Sequence, residues 1–460
     1  MKVDPGIFRN YDVRAIIPEE MDWEGLERFA QATNYLFRPK KVVIGFDARL
    51  TGKKISALFS RVFQEAGVEV VDLGQVSTDM VYFASGIIAS DLFIMVTASH
   101  NPPEYNGFKM TLAKGVKVSG DQGFYKIRDL ILSNNRLKLE ASKKGNIKKV
   151  NIYKDWIDFC LSFIDQTKLK PLKVVVDAGN GIGGKLFGHQ YLLKKLPIKL
   201  IPLYFELDGS FPNHIPNPLK PENLEDIKKK VISSKADLGF ALDGDGDRIT
   251  LITEKGEFVR GGIITALIAD SFLSKNPKQT ILYNAVVGRI VREIVKKRGG
   301  KSKRVRVGYS LIEKEMKKTG AVFAGEHSCH FMYRDVNNSE ASLLTYLILL
   351  EAFSDSSQPV SRVVKKYWKY PQSGEINFEV EDKQATMKKI SQLYQKKAEK
   401  IDWLDGLTIW FKNGWVSIRP SNTQPLLRLN VEADNKLILK NRVREFVKQI
   451  ESLGGIKSKD

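Results

Sequence analysis

One arrangement of apolar runs occurs three times along this chain and then stops, and that limits its possible folds more than any other feature. The first copy has Lys41-Val42-Val43-Ile44-Gly45, a helical stretch near 55–66, an apolar run at 68–72, and Phe93-Ile94-Met95-Val96 leading into Thr97-Ala98-Ser99. The second has Lys173-Val174-Val175-Val176-Asp177, then 198–205, then 236–242. The third has Thr280-Ile281-Leu282-Tyr283, then Arg304-Val305-Arg306-Val307, then Ala321-Val322-Phe323-Ala324. Short β-branched runs separated by helical segments predict βαβ units whose strands are buried on both faces. The expected fold is therefore α/β: three related α/β domains with mixed, mostly parallel sheets. Ligands of such sheets bind beyond the carboxyl ends of the strands. Each copy sends a polar loop to that edge.

After Pro371 the pattern changes. Shorter strands are expected at 375–380, 407–411, 414–419 and 427–431, with helices near 384–401 and 436–452, and Asn413-Gly414 signals a hairpin. This predicts a smaller, largely antiparallel C-terminal α+β domain. A length of 460 residues suits roughly three or four domains. The expected boundaries are 1–150, 151–255, 256–368 and 369–460.

Composition narrows the function class. The start, Met1-Lys2-Val3-Asp4-Pro5-Gly6, lacks the apolar core of a signal peptide, and the longest apolar stretch, near 343–350, falls short of the ~20 residues a membrane span needs. No membrane association and a cytoplasmic location are expected. Cys160 and Cys329 are the only cysteines and have no metal-site spacing, which fits a reducing compartment. The net charge of +20 raises a nucleic-acid reading, above all at Lys296-Lys297-Arg298-Gly299-Gly300-Lys301-Ser302-Lys303-Arg304. That run has no aromatic residue to stack on bases, and the other basic segments are scattered. A solvated surface is the expectation, with a field that also draws in small phosphorylated substrates.

Four loops carry the chemistry. Ser99 ends an apolar run and is followed by His100-Asn101-Pro102, so it is expected at the carboxyl end of a strand, because proline cannot continue a central strand. Asp243-Gly244-Asp245-Gly246-Asp247-Arg248 brings three carboxylates together. Alternate residues of a straight strand lie about 6.6 Å apart, so the glycines must curl the backbone for all three to meet one ion. Hard carboxylate oxygens suit magnesium. Glu254 falls at the twelfth place of an EF-hand count, but Arg248 replaces the turn glycine and a strand precedes the loop, which rejects that motif. Gly179-Asn180-Gly181-Ile182-Gly183-Gly184 fits a dinucleotide-binding pattern, which keeps a nucleotide-dependent oxidoreductase as the alternative of another chemistry. Arg419-Pro420-Ser421-Asn422-Thr423-Gln424-Pro425 has the guanidinium, hydroxyls and amides of a phosphate-recognition loop.

With Thr97-Ala98-Ser99-His100-Asn101-Pro102, Asp243 to Arg248, Gly325-Glu326-His327-Ser328-Cys329-His330 and Arg419-Pro420-Ser421-Asn422-Thr423 in this order and spacing, nearly the whole chain resembles the α-D-phosphohexomutases. Ser-Asn-Thr in the last loop is similar to the phosphomannomutase/phosphoglucomutase branch, with phosphoglucosamine mutase as the alternative. The resemblance implies four domains around a central cleft and reversible phosphoryl transfer between the 1- and 6-positions of a hexose phosphate, mannose or glucose, acting through a phosphoserine and a hexose 1,6-bisphosphate. It implies phosphate carried on Ser99 and Mg²⁺ held by Asp243, Asp245, Asp247 and the Ser99 phosphate. His100, Lys109 and Arg248 then belong to the transfer site, with His330 the preferred general acid/base and Lys109 its rival. Tyr11, Arg14, Glu326, Ser328, Arg419, Ser421, Asn422 and Thr423 bind substrate. The partners implied are hexose phosphates, with the chain acting as a monomer or, alternatively, a dimer. The chain departs from the family pattern where relatives often place a lysine after the first strand of the third domain, since Asn284-Ala285-Val286-Val287 has none. Cys329 stands where glycine is common, and Asn337-Asn338-Ser339-Glu340 lacks an Asp-Gly pair.

Overall fold

The computed structural model describes residues 1–133, 137, 141, 143–421 and 426–458. The chain forms two units, Met1–Arg260 with Ser328–Val363, and Gly261–His327 with Val364–Asp460.

In the first unit a seven-stranded sheet has the order Val13–Ile16, Tyr105–Leu112, Leu92–Val96, Lys41–Phe46, Glu69–Gln75, Ile147–Lys149, with Val116–Lys117 added beside Tyr105–Leu112. Lys41–Phe46 pairs in parallel with both Glu69–Gln75 and Leu92–Val96, whereas Tyr105–Leu112 runs antiparallel to its neighbours. The sheet is therefore mixed. Every residue of Leu92–Val96 is buried, as a strand packed on both faces requires. Helices Trp23–Phe37, Gly52–Glu65 and Tyr125–Leu132 bury an apolar stripe that includes Phe29, Phe59 and Ile127. Phe108 stacks with Phe29 at 4.6 Å and Phe59 at 4.9 Å between ring centroids, so the core grips the strand that carries Lys109.

The second sheet of this unit has the order Phe258–Val259, Ile249–Thr253, Leu238–Leu242, Leu172–Asp177, Ile198–Leu203. Leu172–Asp177 is parallel to both neighbours, and Leu238–Leu242 turns into an antiparallel pair with Ile249–Thr253. The aspartate loop is this turn. Residues of the third copy also join the first unit, as the antiparallel pair Phe331–Tyr333 and Ser339–Glu340 and the buried helix Ser342–Ser354.

In the second unit, Thr280–Asn284 pairs in parallel with Lys301–Val305 and Phe323–Gly325. The strand expected at Arg304-Val305-Arg306-Val307 starts earlier, because Lys301 registers with Thr280, and Lys301 and Lys303 alternate outward along it. The C-terminal sheet has the order Lys400–Asp402, Leu407–Phe411, Gly414–Pro420, Leu426–Ala433, Gln372–Glu379, Ile456–Lys457, all antiparallel. Helices Lys383–Tyr394 and Lys436–Ser452 contribute Met387, Ile390, Phe446 and Ile450 to its core. The helix expected over 384–401 ends at Tyr394, since Lys400–Asp402 is taken up as an edge strand. The hairpin forms, but Phe411 pairs with Gly414, so Lys412-Asn413 is the turn and Gly414 opens the next strand at φ +151°. Among the described residues, no helix is long and apolar enough to cross a membrane.

Candidate active site

Ser99 lies just past the carboxyl end of Leu92–Val96, at the sheet edge expected for it, and takes the left-handed conformation at φ +53°. A non-glycine residue holds that shape only when its surroundings impose it. The Ser99 hydroxyl donates to Asp243 Oδ2 at 2.9 Å and lies 3.1 Å from His100 Nδ1. With the hydroxyl proton spent on Asp243, His100 Nδ1–H is the donor to Oγ. Burial, and then Arg248 and Arg14, hold His100 well below the usual histidine range, so it is neutral.

The three loop aspartates are buried, and one carboxylate oxygen from each lies within 4.8 Å of the others. Gly246 supplies the curl at φ +71°, and Gly244 supplies the room, because a Cβ there would sit 2.4 Å from Ser99 O. Burial and the neighbouring carboxylates Asp247 and Asp245 push Asp243 far above the ordinary carboxylate range. Asp245 Oδ1 and Asp247 Oδ1 are buried without a hydrogen-bond partner among the described residues. Three hard carboxylate donors in close array, two with an oxygen to spare, fit a divalent cation such as Mg²⁺, whose charge would hold all three ionised. Lys109 Nζ donates to Asp245 at 2.7 Å and Asp247 at 2.6 Å. Burial alone would lower this lysine, but the two carboxylates override it and raise it well above its ordinary value.

Arg248 donates from Nε to His330 Nε2 at 3.0 Å, and Ser328 Oγ lies 2.9 Å from His330 Nδ1. The Arg248 bond makes Nε2 an acceptor, which puts the proton of a neutral ring on Nδ1, facing Ser328. Arg14 reaches Asp12 at 2.8 Å and Asn101 Oδ1 at 2.5 Å, beside the Ser99 loop. Tyr11 is partly buried in the bend before Val13–Ile16. Ser99, His100, Lys109, the three aspartates, Arg248, Ser328, His330 and Arg14 are thus gathered in the first unit.

In the second unit Glu326 and His327 are joined through Asn284, whose amide lies 3.0 Å from Glu326 Oε1 and 3.1 Å from His327 Nδ1. Burial, and then Arg419, push His327 down to about 4. Glu375 serves as a counter-anion to Arg419 at 3.1 Å and Arg428 at 3.3 Å, whose strands place them directly opposite each other. The Arg419 side chain is 2% exposed, and its Nε has no hydrogen-bond partner among the described residues. Ser421 N donates to Leu426 O at 2.8 Å. Asn422 and Thr423 lie outside the described residues.

Several residues around the site carried no motif in the sequence. Thr78 bonds Asp245 through both its backbone N (2.9 Å) and its hydroxyl (2.5 Å). Ser342 donates from Oγ to Gly246 O at 2.6 Å and from N to Asp79 at 3.1 Å. Asn284 stood out only as a missing lysine. Their signal was position: each lies at the end of a strand or the start of a helix, where backbone groups need partners. The glycine-rich 179–184 loop braces the aspartate loop. Ile182 N donates to Gly244 O at 3.0 Å, and a Cβ on Gly181 would meet the same oxygen at 2.7 Å. Its glycines answer to that close approach.

Four family models for phosphoglucomutase/phosphomannomutase match in order: α/β/α domain I at residues 5–137, domain II at 153–256, domain III at 260–370, and the C-terminal domain at 375–449. A phosphomannomutase of Vibrio cholerae is 34% identical over 457 residues, covering 97% of this chain and 98% of that protein. One of Methanocaldococcus jannaschii is 36% identical over 449 residues, covering 97% and 98%. A crystal structure of a phosphoglucomutase/phosphomannomutase family protein from Burkholderia thailandensis superposes with a TM-score of 0.89 at 30% identity, covering 98% of each chain.

Proposed function

Given that the chain belongs to the phosphoglucomutase/phosphomannomutase family and is a phosphohexomutase, we propose that it moves a phosphoryl group reversibly between the 1- and 6-positions of mannose or glucose phosphate, through a phosphoserine and a hexose 1,6-bisphosphate. The observation that carries this reading is the Ser99 hydroxyl held 2.9 Å from a buried carboxylate of a cation-ready triad. A serine set against a carboxylate cluster is poorly placed for hydrolysis of a neutral ester and well placed to carry a phosphate whose charge a cation offsets.

In this reading Ser99 Oγ gives its phosphoryl to a sugar hydroxyl, and the bisphosphate so formed turns over and returns its other phosphate to Ser99. Asp243, Asp245 and Asp247 would hold Mg²⁺, and the ion would supply positive charge beside the transferring phosphoryl. Lys109 and Arg248 add fixed cations at the same place. His330 serves as general acid/base for the sugar hydroxyl: Ser328 holds its Nδ1 and Arg248 its Nε2, which fixes the ring at the site. His100, neutral, steadies Ser99 Oγ. By family likeness, Tyr11 and Arg14 belong to the surrounding substrate site, Glu326 and Ser328 take sugar hydroxyls, and Arg419, Ser421, Asn422 and Thr423 take the phosphate that is not transferred. A cytoplasmic location goes with that substrate class.

The test is direct. The purified protein should show a phosphate-sized mass increment that maps to Ser99, and Ser99→Ala should lose magnesium-dependent isomerisation of mannose 1-phosphate and glucose 1-phosphate. Full activity in Ser99→Ala would sink the mechanism. Rates on mannose, glucose and glucosamine phosphates assign the sugar.

A further inference from the structure

We infer that Arg49, acting with Asp47, is the positioning residue that aims Ser99 at its reaction partner; the inference rests on the phosphoserine reading above. The Arg49 side chain is 0% exposed, and one guanidinium collects four backbone carbonyls of the Ser99 loop. Nη1 donates to Pro102 O at 2.8 Å and Tyr105 O at 2.7 Å, and Nη2 to Ser99 O at 2.9 Å and Asn101 O at 2.6 Å. Four carbonyl dipoles aimed at one point repel one another unless a cation sits there. A planar fork with donors on separate nitrogens matches that array, whereas the three donors of an ammonium radiate from a single atom.

A second link runs through the other carboxylate contacts. Arg49 N donates to Asp47 Oδ1 at 3.0 Å, the Thr97 hydroxyl donates to Asp47 Oδ2 at 2.6 Å, and Ser99 N donates to Thr97 Oγ1 at 2.8 Å. The loop that follows Lys41–Phe46 therefore holds the carbonyl of Ser99 directly and its amide through Thr97. With both ends of the residue fixed, the left-handed backbone of Ser99 is imposed, and its Oγ is left toward Asp243 and His100. The Phe211 ring lies 5.2 Å from the guanidinium and closes the arginine's remaining side. Among the described residues these contacts reach Ser99 through its backbone O and N and not through Oγ, so the effect on rate goes through aim.

Arg49→Lys keeps the charge and loses the fork. Its kcat is expected to fall about 100-fold, the size of effect that an ångström of misplacement has on transfer. KM for the better of mannose 1-phosphate and glucose 1-phosphate should stay within about threefold, as should the affinity for Mn²⁺ used as a probe of the aspartate loop. A merely structural arginine would instead lower Tm and leave kcat intact below the transition. Should Arg49→Lys fail to fold, Thr97→Val removes only the hydroxyl link at nearly constant volume and should lower kcat about tenfold at unchanged KM. A kcat within threefold of the parent in folded Arg49→Lys, or in Thr97→Val where the lysine variant does not fold, overturns the inference, as does a loss lying wholly in KM. Ser99→Ala assayed in parallel separates the two readings. Activity in that variant removes the phosphoserine mechanism, whereas an inactive Ser99→Ala beside unimpaired Arg49→Lys and Thr97→Val removes only the role of Arg49.

Discussion

Replacing Gly244 by alanine tests whether the spacing between the Ser99 loop and the aspartate loop governs catalysis. The added Cβ would stand 2.4 Å from Ser99 O and 3.1 Å from Pro216 Cγ, where ordinary contact begins at 3.4 Å. Both sides of the Ser99 contact are held, Ser99 O by Arg49 and the aspartate loop by Thr78 and Ser342, so the strain falls on the gap between Ser99 Oγ and Asp243. Opening that gap by about 1 Å should cost roughly 100-fold in kcat, and overpacking should take about 1–3 kcal/mol from stability. The assay is coupled isomerisation of a hexose 1-phosphate with parallel urea denaturation, with Gly262→Ala as control. At Gly262 a Cβ meets nothing closer than 3.5 Å, and alanine in that helix should stabilise by up to about 1 kcal/mol with activity retained. Equal kcat in Gly244→Ala and the parent would refute the spacing argument.

Three further outcomes follow from the same geometry. Mg²⁺ at a hundredfold excess over its dissociation constant should stabilise the protein by about 2.7 kcal/mol, and chelation should remove that gain; an equal rise in Tm for Asp245→Asn would place the ion elsewhere. His214, 3.1 Å from Asp177, is lowered by burial but raised further by that carboxylate, to a net value above 6.5. Its contribution to stability is complete below 6.5 and is lost as pH rises through the folded value. The NMR titration of His214 should therefore have its midpoint above 6.5, and the midpoint should drop in Asp177→Asn. The buried pair Lys117 and Glu340, with the lysine ammonium 4.1 Å from the Tyr82 ring, should behave non-additively. Lys117→Met alone should cost about 3–5 kcal/mol by stranding a buried carboxylate, while Lys117→Met with Glu340→Leu should return most of it, and strict additivity in denaturant unfolding would contradict this.

Much of the site could be read from local sequence because its parts are short and chemically explicit. The strand ending before Ser99 was visible as an apolar run halted by a turn, and the strand into Asp243 likewise. The aspartate loop needed only the spacing of its carboxylates and glycines. Legibility failed where a neighbouring strand, rather than the segment's own composition, set the outcome. Lys301–Val305 is a strand because Thr280–Asn284 lies beside it, and Lys400–Asp402 leaves the expected helix for the same reason. Gly179 to Gly184 suggested a nucleotide because a tight strand-to-helix turn has one composition whether a pyrophosphate or another loop approaches it. Here it is Gly244 that approaches.

The sequence alone determined the chemistry: which loops carry a hydroxyl, which carry carboxylates, and in what order they occur, because hydrophobic periodicity and turn residues act over a few neighbours. Tertiary structure decided what each group is. It made Asp243 the acceptor of the Ser99 hydroxyl, Lys109 the cation between two aspartates, His330 an acceptor toward Arg248, and Arg49 the holder of four carbonyls. Those identities depend on burial and on partners 50 to 144 residues away in the chain. Charge and hydrogen bonding act through space, and only the folded chain brings such distant residues within 3 Å of one another.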